Sequence, residues 1–285
     1  MACMTQLPVD LVFVRHGESE GNIYDKMGPC EAREKLHSKY TSQYRLTDLG
    51  RVQSTRAGKI LQERLGKFDK MFVSEYTRAV ETAGYMDLPE SSYRTETLIR
   101  ELDNATGKRT GESAGSPMKD LDAKSAHVAG KWWHRPAGGE NFADLCMRLQ
   151  MFLETLRVEA AGLRVCIVCH GHVMRGFKAL LESYTEPNFE ALLQSENPNC
   201  LILWYTRRDA LGVVHSRLHR CITIKMEDPN DAQRTDAACK VEEASISRPF
   251  FSAADLRARA ANIPQILNTA DAAGKLKSKL GETDP

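Results

Sequence analysis

Between Val9 and Asn22 the chain reads VDLVFVRHGESEGN, and the abrupt change inside that stretch limits what the rest can fold into. Val9, Leu11, Val12, Phe13 and Val14 are bulky or β-branched and scarcely interrupted by polar residues. A run this short and apolar predicts a strand buried on both faces, as in a parallel sheet covered by helices on both sides. Arg15, His16 and Gly17 follow at once. Ligands of open α/β sheets gather beyond the carboxyl ends of the strands, so an arginine and a histidine stand where a site belongs. Gly17 permits a tight turn and the close approach of a ligand to backbone.

An adjacent arginine and histidine suit a phosphoryl group. The guanidinium offers a planar fork to phosphate oxygens, and a neutral imidazole can attack phosphorus. Asn22 offers a hydrogen bond to the same anion. Alone, a histidine at a strand end is more often a capping or surface residue, so the motif needs support from elsewhere in the chain.

That support starts at a second apolar strand, Arg164 to Cys169, which delivers His170, Gly171 and His172 at its end. Earlier, Thr47 is the predicted N-cap of a helix with Leu49, Val52, Ile60, Leu61 and Leu65 on a helical period. Lys70 to Val73 predicts a strand, and EYTRAVETAGYM a helix after it. Strands alternating with helices specify parallel strands with helices on both faces. Residues 23 to 45 predict an irregular insertion, and residues 94 to 102 a short strand entering a loop. Residues 103 to 135, rich in Gly, Ser, Pro and charge, are a candidate lid. Glu140 to Val158 predicts the clearest helix, with Phe142, Leu145, Cys146, Leu149, Phe152, Leu153 and Leu156 on one face. Leu180 to Leu193 predicts helical pieces divided near Pro187. Asn199 to Tyr205 and Val213 to Ile224, joined by a turn at 209 to 212, predict an antiparallel hairpin at the sheet edge.

Composition excludes little but narrows the partners. With 39 basic against 38 acidic residues the net charge is +1, so nothing draws the chain as a whole toward nucleic acid or a membrane. MACMTQLPVD has no basic stretch leading into a long apolar segment, and no run is long enough to span a bilayer; a cytoplasmic location is expected. The eight cysteines are scattered and read as buried free thiols. Ser278, Lys279 and Leu280 resemble a peroxisomal address, but five residues follow them, and such a signal must be C-terminal.

The expected organisation is a catalytic domain over 1 to 225, a linker over 226 to 251, and a helical tail over 252 to 285, disordered in part. The linker assignment rests on EDPNDAQRTDAACKVEEAS, which has few large apolar residues. Ser252 is the predicted cap of a helix through Asn262, with Leu256 and Ile263 facing inward and Pro264 interrupting it.

Two further residues join the candidate site. Arg78 lies near the start of a helix that follows a strand, where free N–H groups favour phosphate. Glu101 follows the strand-like TLI and can face a leaving-group oxygen as general acid. A competing signature, the C-x-x-C-H of Cys166 to His170, matches haem attachment and, with His172, a metal cluster. It fails on geometry, because thiols three apart on a strand point to opposite faces.

Taken together, VRHGESEGN, LTDLG at 46 to 50, SEYTRAVETA at 74 to 83, IREL at 99 to 102, GGEN at 138 to 141 and CHGHVMR at 169 to 175 resemble the histidine phosphatase superfamily, the phosphoglycerate mutase-like proteins. Their order and spacing match over residues 9 to 225, leaving the tail outside. The resemblance implies a three-layer α/β/α sandwich, its mostly parallel sheet bearing an antiparallel edge. It implies that His16 is the nucleophile that becomes phosphorylated and that Arg15, Arg78 and His170 bind the transferring group. Glu101 would protonate the leaving oxygen and then activate water, while Asn22, Gly171 and Arg135 are substrate-side candidates. No metal or cofactor is called for, since phosphoryl transfer rests on positioning and charge neutralisation. The expected partner is a small phosphorylated substrate, with oligomerisation left open.

The departures bear on the reaction. Glu101 and His170 are 69 positions apart, shorter than in the cofactor-dependent mutases, and the continuation after the acid reads LDNATGKRTG. WWHRPAGGEN is similar to a loop of phosphatase-like members, with Arg135 and both tryptophans offering either substrate contact or packing. These features favour a phosphatase, which admits water, over a phosphoglycerate mutase, with a non-catalytic phosphate-binding protein third.

Overall fold

The computed structural model describes residues 6–24, 26–37, 39–103, 130–136, 138–184, 186–246 and 250–264. The chain divides into two compact units, Met1–Ile246 and Ser247–Pro285. In the first, strands β1 (Asp10–Arg15), β2 (Lys70–Val73), β3 (Tyr93–Thr95), β4 (Arg164–Cys169), β5 (Ile202–Thr206), β6 (Arg220–Met226) and β7 (Cys239–Ser245) form one sheet. Its order is β3-β2-β4-β1-β5-β6-β7. The first four strands are parallel, whereas β5, β6 and β7 each pair antiparallel with the strand before them in that order.

Side-chain alternation in β1 and β4 explains the layers. Leu11, Phe13, Val165, Ile167 and Cys169 face a core built with α5 (Phe142–Glu159), α6 (Gly171–Glu182) and α7 (Glu186–Gln194). Val12, Val14, Cys166 and Val168 face the opposite core, under α3 (Asp48–Leu65) and α4 (Thr77–Met86). Each fully buried Leu, Val or Phe contributes about 1.5–3 kcal/mol, so a strand apolar on both sides is held from both sides. The two thiols of the C-x-x-C-H sequence therefore lie in different cores, as the strand reading requires. All seven cysteines among the described residues are free thiols; Cys30 is exposed, against expectation. Short helix α2 (Glu31–His37) and the end of α1 (Glu20–Tyr24) lie within the segment expected to be irregular.

The register sets the site. β1 and β4 pair from Asp10 with Arg164 through Arg15 with Cys169, so both strands end level and release His16 and His170 side by side. β2 pairs with β4 on its other side and ends at Val73, which places Ser74 at the same end of the sheet.

The stretch expected as a linker contains β7, paired with β6 from Met226 with Cys239 to Arg220 with Ser245. β7 is exposed along nearly its whole length, so backbone pairing, not an apolar pattern, makes it a strand. It, and not the hairpin, is the sheet edge. The hairpin turn is present, with Gly212 N–H donating to Asp209 O at 3.1 Å, but β6 starts only at Arg220 and leaves Val213 and Val214 exposed. The candidate lid falls largely on 104–129, outside the described residues, as does the tail beyond 264.

In the second unit, α8 (Ala253–Ala261) carries a capping box in which Ser252 and Asp255 satisfy each other's backbone N–H groups. Leu256 and Ile263, expected to face inward, are exposed there. Among the described residues of this unit, the helix of 9 residues has no second layer to bury them.

Gly50, in the first turn of α3, packs directly on the active-end loop. A Cβ there would collide with the carbonyl oxygen of Glu18. Alanine is the better helix former by about 1 kcal/mol, but displacing backbone in a packed site costs about 1–3 kcal/mol. Gly50→Ala is therefore expected to lower the urea midpoint, and a raised midpoint would refute this packing.

Candidate active site

His16 sits directly after β1 and is 3% exposed. Its own backbone is fixed by Cys169, whose carbonyl accepts the His16 N–H at 3.0 Å, and by Asn199, whose side chain donates to His16 O at 3.0 Å. The ring is fixed as well. Nδ1 lies 2.7 Å from Gly17 O, an acceptor only, so Nδ1 carries the proton and Nε2 the lone pair. Arg78 Nε donates to that Nε2 at 3.2 Å. Gly17 N–H in turn donates to Thr82 Oγ1 at 3.0 Å, locking the turn onto α4.

Burial, followed by the charges of Arg78, His170 and Arg15, pushes the His16 imidazole well below its ordinary pKa, against the opposing pull of the Gly17 carbonyl. The ring is thus neutral, and its unprotonated Nε2, oriented by the hydrogen bond from Arg78, is a nucleophile at neutral pH.

Arg78 is the second residue of α4, buried, with one guanidinium nitrogen donating to Thr41 O at 2.8 Å and its Cζ 4.9 Å from the Tyr76 ring centroid. His170 is fully buried and its ring centroid stands 5.2 Å from that of His16. Ser74 Oγ accepts the Tyr76 N–H at 3.4 Å and is hydrogen-bonded to His170 Nε2 at 2.7 Å. Burial and then Arg78 hold His170 well below the ordinary imidazole value, despite Glu101.

Arg15 ends β1 and donates through one terminal nitrogen to Asn197 O. Asn197 also donates to Gly171 O at 2.9 Å, and a Cβ on Gly171 would lie 3.6 Å from Arg15 Nε. Arg15 Nε and His170 Nδ1 are buried, and neither has a hydrogen-bond partner among the described residues. Leaving a buried donor unsatisfied costs about 1–3 kcal/mol, and native proteins tolerate it chiefly where a function explains it.

Glu101 follows β3 and a 3-10 turn at Thr97–Ile99. The segment bearing it is held by Glu140 of the GGEN sequence, which accepts from Arg100 at 2.6 Å, from Arg148 Nε at 2.9 Å and from Asp103 N at 3.2 Å. Burial works against ionisation of Glu101, but contact with His172 and the charges of His170 and Arg78 outweigh it and hold the carboxyl well below its usual range. Arg15 and Arg175 also interact electrostatically with Glu101.

The structure therefore gathers Arg15, His16, Arg78, Glu101, His170 and Gly171 at one end of the sheet. Asn22 is adjacent, with Oδ1 accepting from Ser19 N at 3.1 Å and from Asn199 at 3.2 Å, so its oxygen shapes the loop. Arg135 is engaged by Asp144 at 2.5 Å at the start of α5. Trp132 packs against Phe142 and Phe189, while Trp133 is exposed. Sequence reasoning missed Ser74, Asn197 and Asn199. The signal lay in the NPN tripeptide before β5 and in a serine at the end of β2.

The family profile of the histidine phosphatase superfamily (branch 1) matches residues 11–217. The chain is 30% identical over 215 residues to the 2,3-bisphosphoglycerate-dependent phosphoglycerate mutase of Rhizobium etli, an alignment covering 72% of this chain and 93% of that protein. Among solved structures, it is similar to mycobacterial glucosyl-3-phosphoglycerate phosphatase, with TM-score 0.51, 22% identity, and coverage of 69% of this chain and 92% of that one. It is likewise similar to phosphoserine phosphatase from Entamoeba histolytica, solved with 3-phosphoglyceric acid, with TM-score 0.51, 19% identity, and coverage of 73% and 96%. A sheet whose two central parallel strands each end in a buried histidine, and a family match spanning both, lead to one assignment: the chain belongs to the histidine phosphatase superfamily of phosphoryl-transfer enzymes.

Proposed function

We propose that this enzyme is a phosphatase of small phosphate esters that works through a phosphohistidine on His16. The observation that carries the reading is the pair of buried, unpartnered nitrogens, Arg15 Nε and His170 Nδ1, beside a neutral His16 whose unprotonated Nε2 accepts from Arg78. A phosphoryl group there meets both nitrogens, the Arg78 guanidinium and the nucleophile.

His16 Nε2 forms the N–P bond while the P–O ester bond breaks, and Glu101 gives its proton to the departing oxygen. Glu101, now a carboxylate, takes a proton from water as the water oxygen attacks phosphorus and the N–P bond breaks. Inorganic phosphate leaves and Glu101 is protonated again. Arg15 and Arg78 neutralise the equatorial oxygens throughout. The cationic surroundings that keep Glu101 ionised in the free enzyme are cancelled by the dianionic phosphate, so substrate binding itself raises its proton affinity.

Water entry is favoured over phosphoryl return by the short interval between Glu101 and His170. The identity to a mutase keeps a second reading, phosphoglycerate isomerisation, in play. Phosphorus NMR with 3-phosphoglycerate and a trace of bisphosphoglycerate separates them. Release of inorganic phosphate is expected; accumulation of the isomeric phosphoglycerate would make the enzyme a mutase. Glu101→Gln is expected to slow alkyl esters by about 10²–10⁴-fold and 4-nitrophenyl phosphate far less, because a phenol leaving group of low pKa needs no proton. Equal losses for both would remove Glu101 from the acid role.

A further inference from the structure

His172 of the CHGH sequence is an ionisable residue that the mechanism above leaves unused. It occupies the first turn of α6, and its Nδ1 lies 3.6 Å from Glu101 Oε1. That distance is an electrostatic contact, longer than a hydrogen bond; catalytic contacts of free enzymes often tighten when substrate binds. Glu101 Oε1 already accepts the Leu102 N–H at 2.9 Å. Among the described residues both contacts therefore fall on Oε1, and Oε2 is the oxygen offered to substrate. The His172 side chain is 36% exposed and that of Glu101 19%, so the imidazole connects the carboxyl to solvent.

We propose that His172 is the positioning residue of the acid: it holds Glu101 through Oε1 and directs Oε2 to the reacting oxygen. This rests on the phosphatase reading, since it assigns a role within that reaction. In the free enzyme Glu101 is a carboxylate. Among the described residues, the other charged or titratable groups facing the pair include Arg15 of β1, Arg78 of α4, Arg148 of α5, Cys169 of β4, His170 at the cap of α6 and Arg175 within it.

The test compares wild type with His172→Ala and His172→Gln, using glycerol 3-phosphate and 4-nitrophenyl phosphate. Gln, which can hold Oε1 through its amide, should keep alkyl kcat within about 3-fold of wild type, whereas Ala should lose about 10-fold with KM little changed. Turnover of 4-nitrophenyl phosphate, needing no proton, should change by less than about 3-fold and so reports an intact fold. An equal loss on both esters overturns the proposal, as does a Gln variant no more active than Ala on the alkyl ester. A wild type that hydrolyses neither ester, or a Glu101→Gln variant without leaving-group dependence, would instead sink the phosphatase reading itself.

Discussion

His16→Ala is expected to reduce turnover by about 10⁴–10⁶-fold, the scale on which loss of a covalent nucleophile is felt. His170, whose ring centroid stands 5.2 Å from that of His16 and whose Nε2 is held against Ser74 Oγ at 2.7 Å, does not occupy the position of His16 Nε2. The same variant has a stability signature that separates chemistry from misfolding. The pKa of His16 is lowered in the native state, so from about pH 6.5 downward the unfolded chain takes up a proton that the native one refuses. That contribution is present above this pH and is lost on acidification. Removing the imidazole removes the penalty, and the variant should lose less stability than wild type between pH 7 and 5 in urea unfolding. Residual turnover near wild type would end the nucleophile assignment; an inactive variant with unchanged acid sensitivity would mean His16 is not held neutral by its surroundings.

Arg78→Ala is expected to be the second most damaging change, at about 10³-fold or more in kcat/KM. The side chain does three things at once. It donates to His16 Nε2, holds the Tyr40–Tyr44 turn through Thr41 O, and supplies charge beside the phosphoryl site. Its loss also changes the pH dependence in a defined direction. Arg78 is the largest charge pushing His16 down, so without it the imidazole recovers toward its ordinary value. Below that value His16 is protonated and cannot attack, and the acid limb of the profile should move to higher pH. Arg78→Lys keeps a charge without the planar fork, so it should restore the acid limb better than the rate. An acid limb unmoved in Arg78→Ala would show that burial alone governs His16.

Much of this was legible in the sequence because the informative segments carry two signals together. β1 and β4 are apolar on both faces and end in Arg-His-Gly and His-Gly-His, so one reading yields both the sheet centre and the chemistry. α5 was equally plain, since its buried residues recur at helical spacing. What escaped has a physical cause. β7 buries almost nothing, so no hydrophobic alternation marks it, and its partner alone specifies it. Val213 and Val214 have strand-like side chains but belong to an exposed loop after β5, because propensity without a facing layer does not make a strand. Ser74, Asn197 and Asn199 act on the chemistry through other residues, which no short motif records. Arg135 shared its segment with a real anchor, Glu140, and the tertiary structure gave it a different partner.

β1 has a parallel neighbour on one side and an antiparallel one on the other, which makes it a seam. Every strand that terminates at the site lies on the parallel side or is β1 itself, apart from the NPN approach to β5. On the other side β6 and β7 are added one after another, each by simple reversal of direction. β6 is built into the core, but β7 buries almost nothing and forms a modular margin, where a protein engineer could alter the outer strand while the register that aligns the two histidines stays untouched.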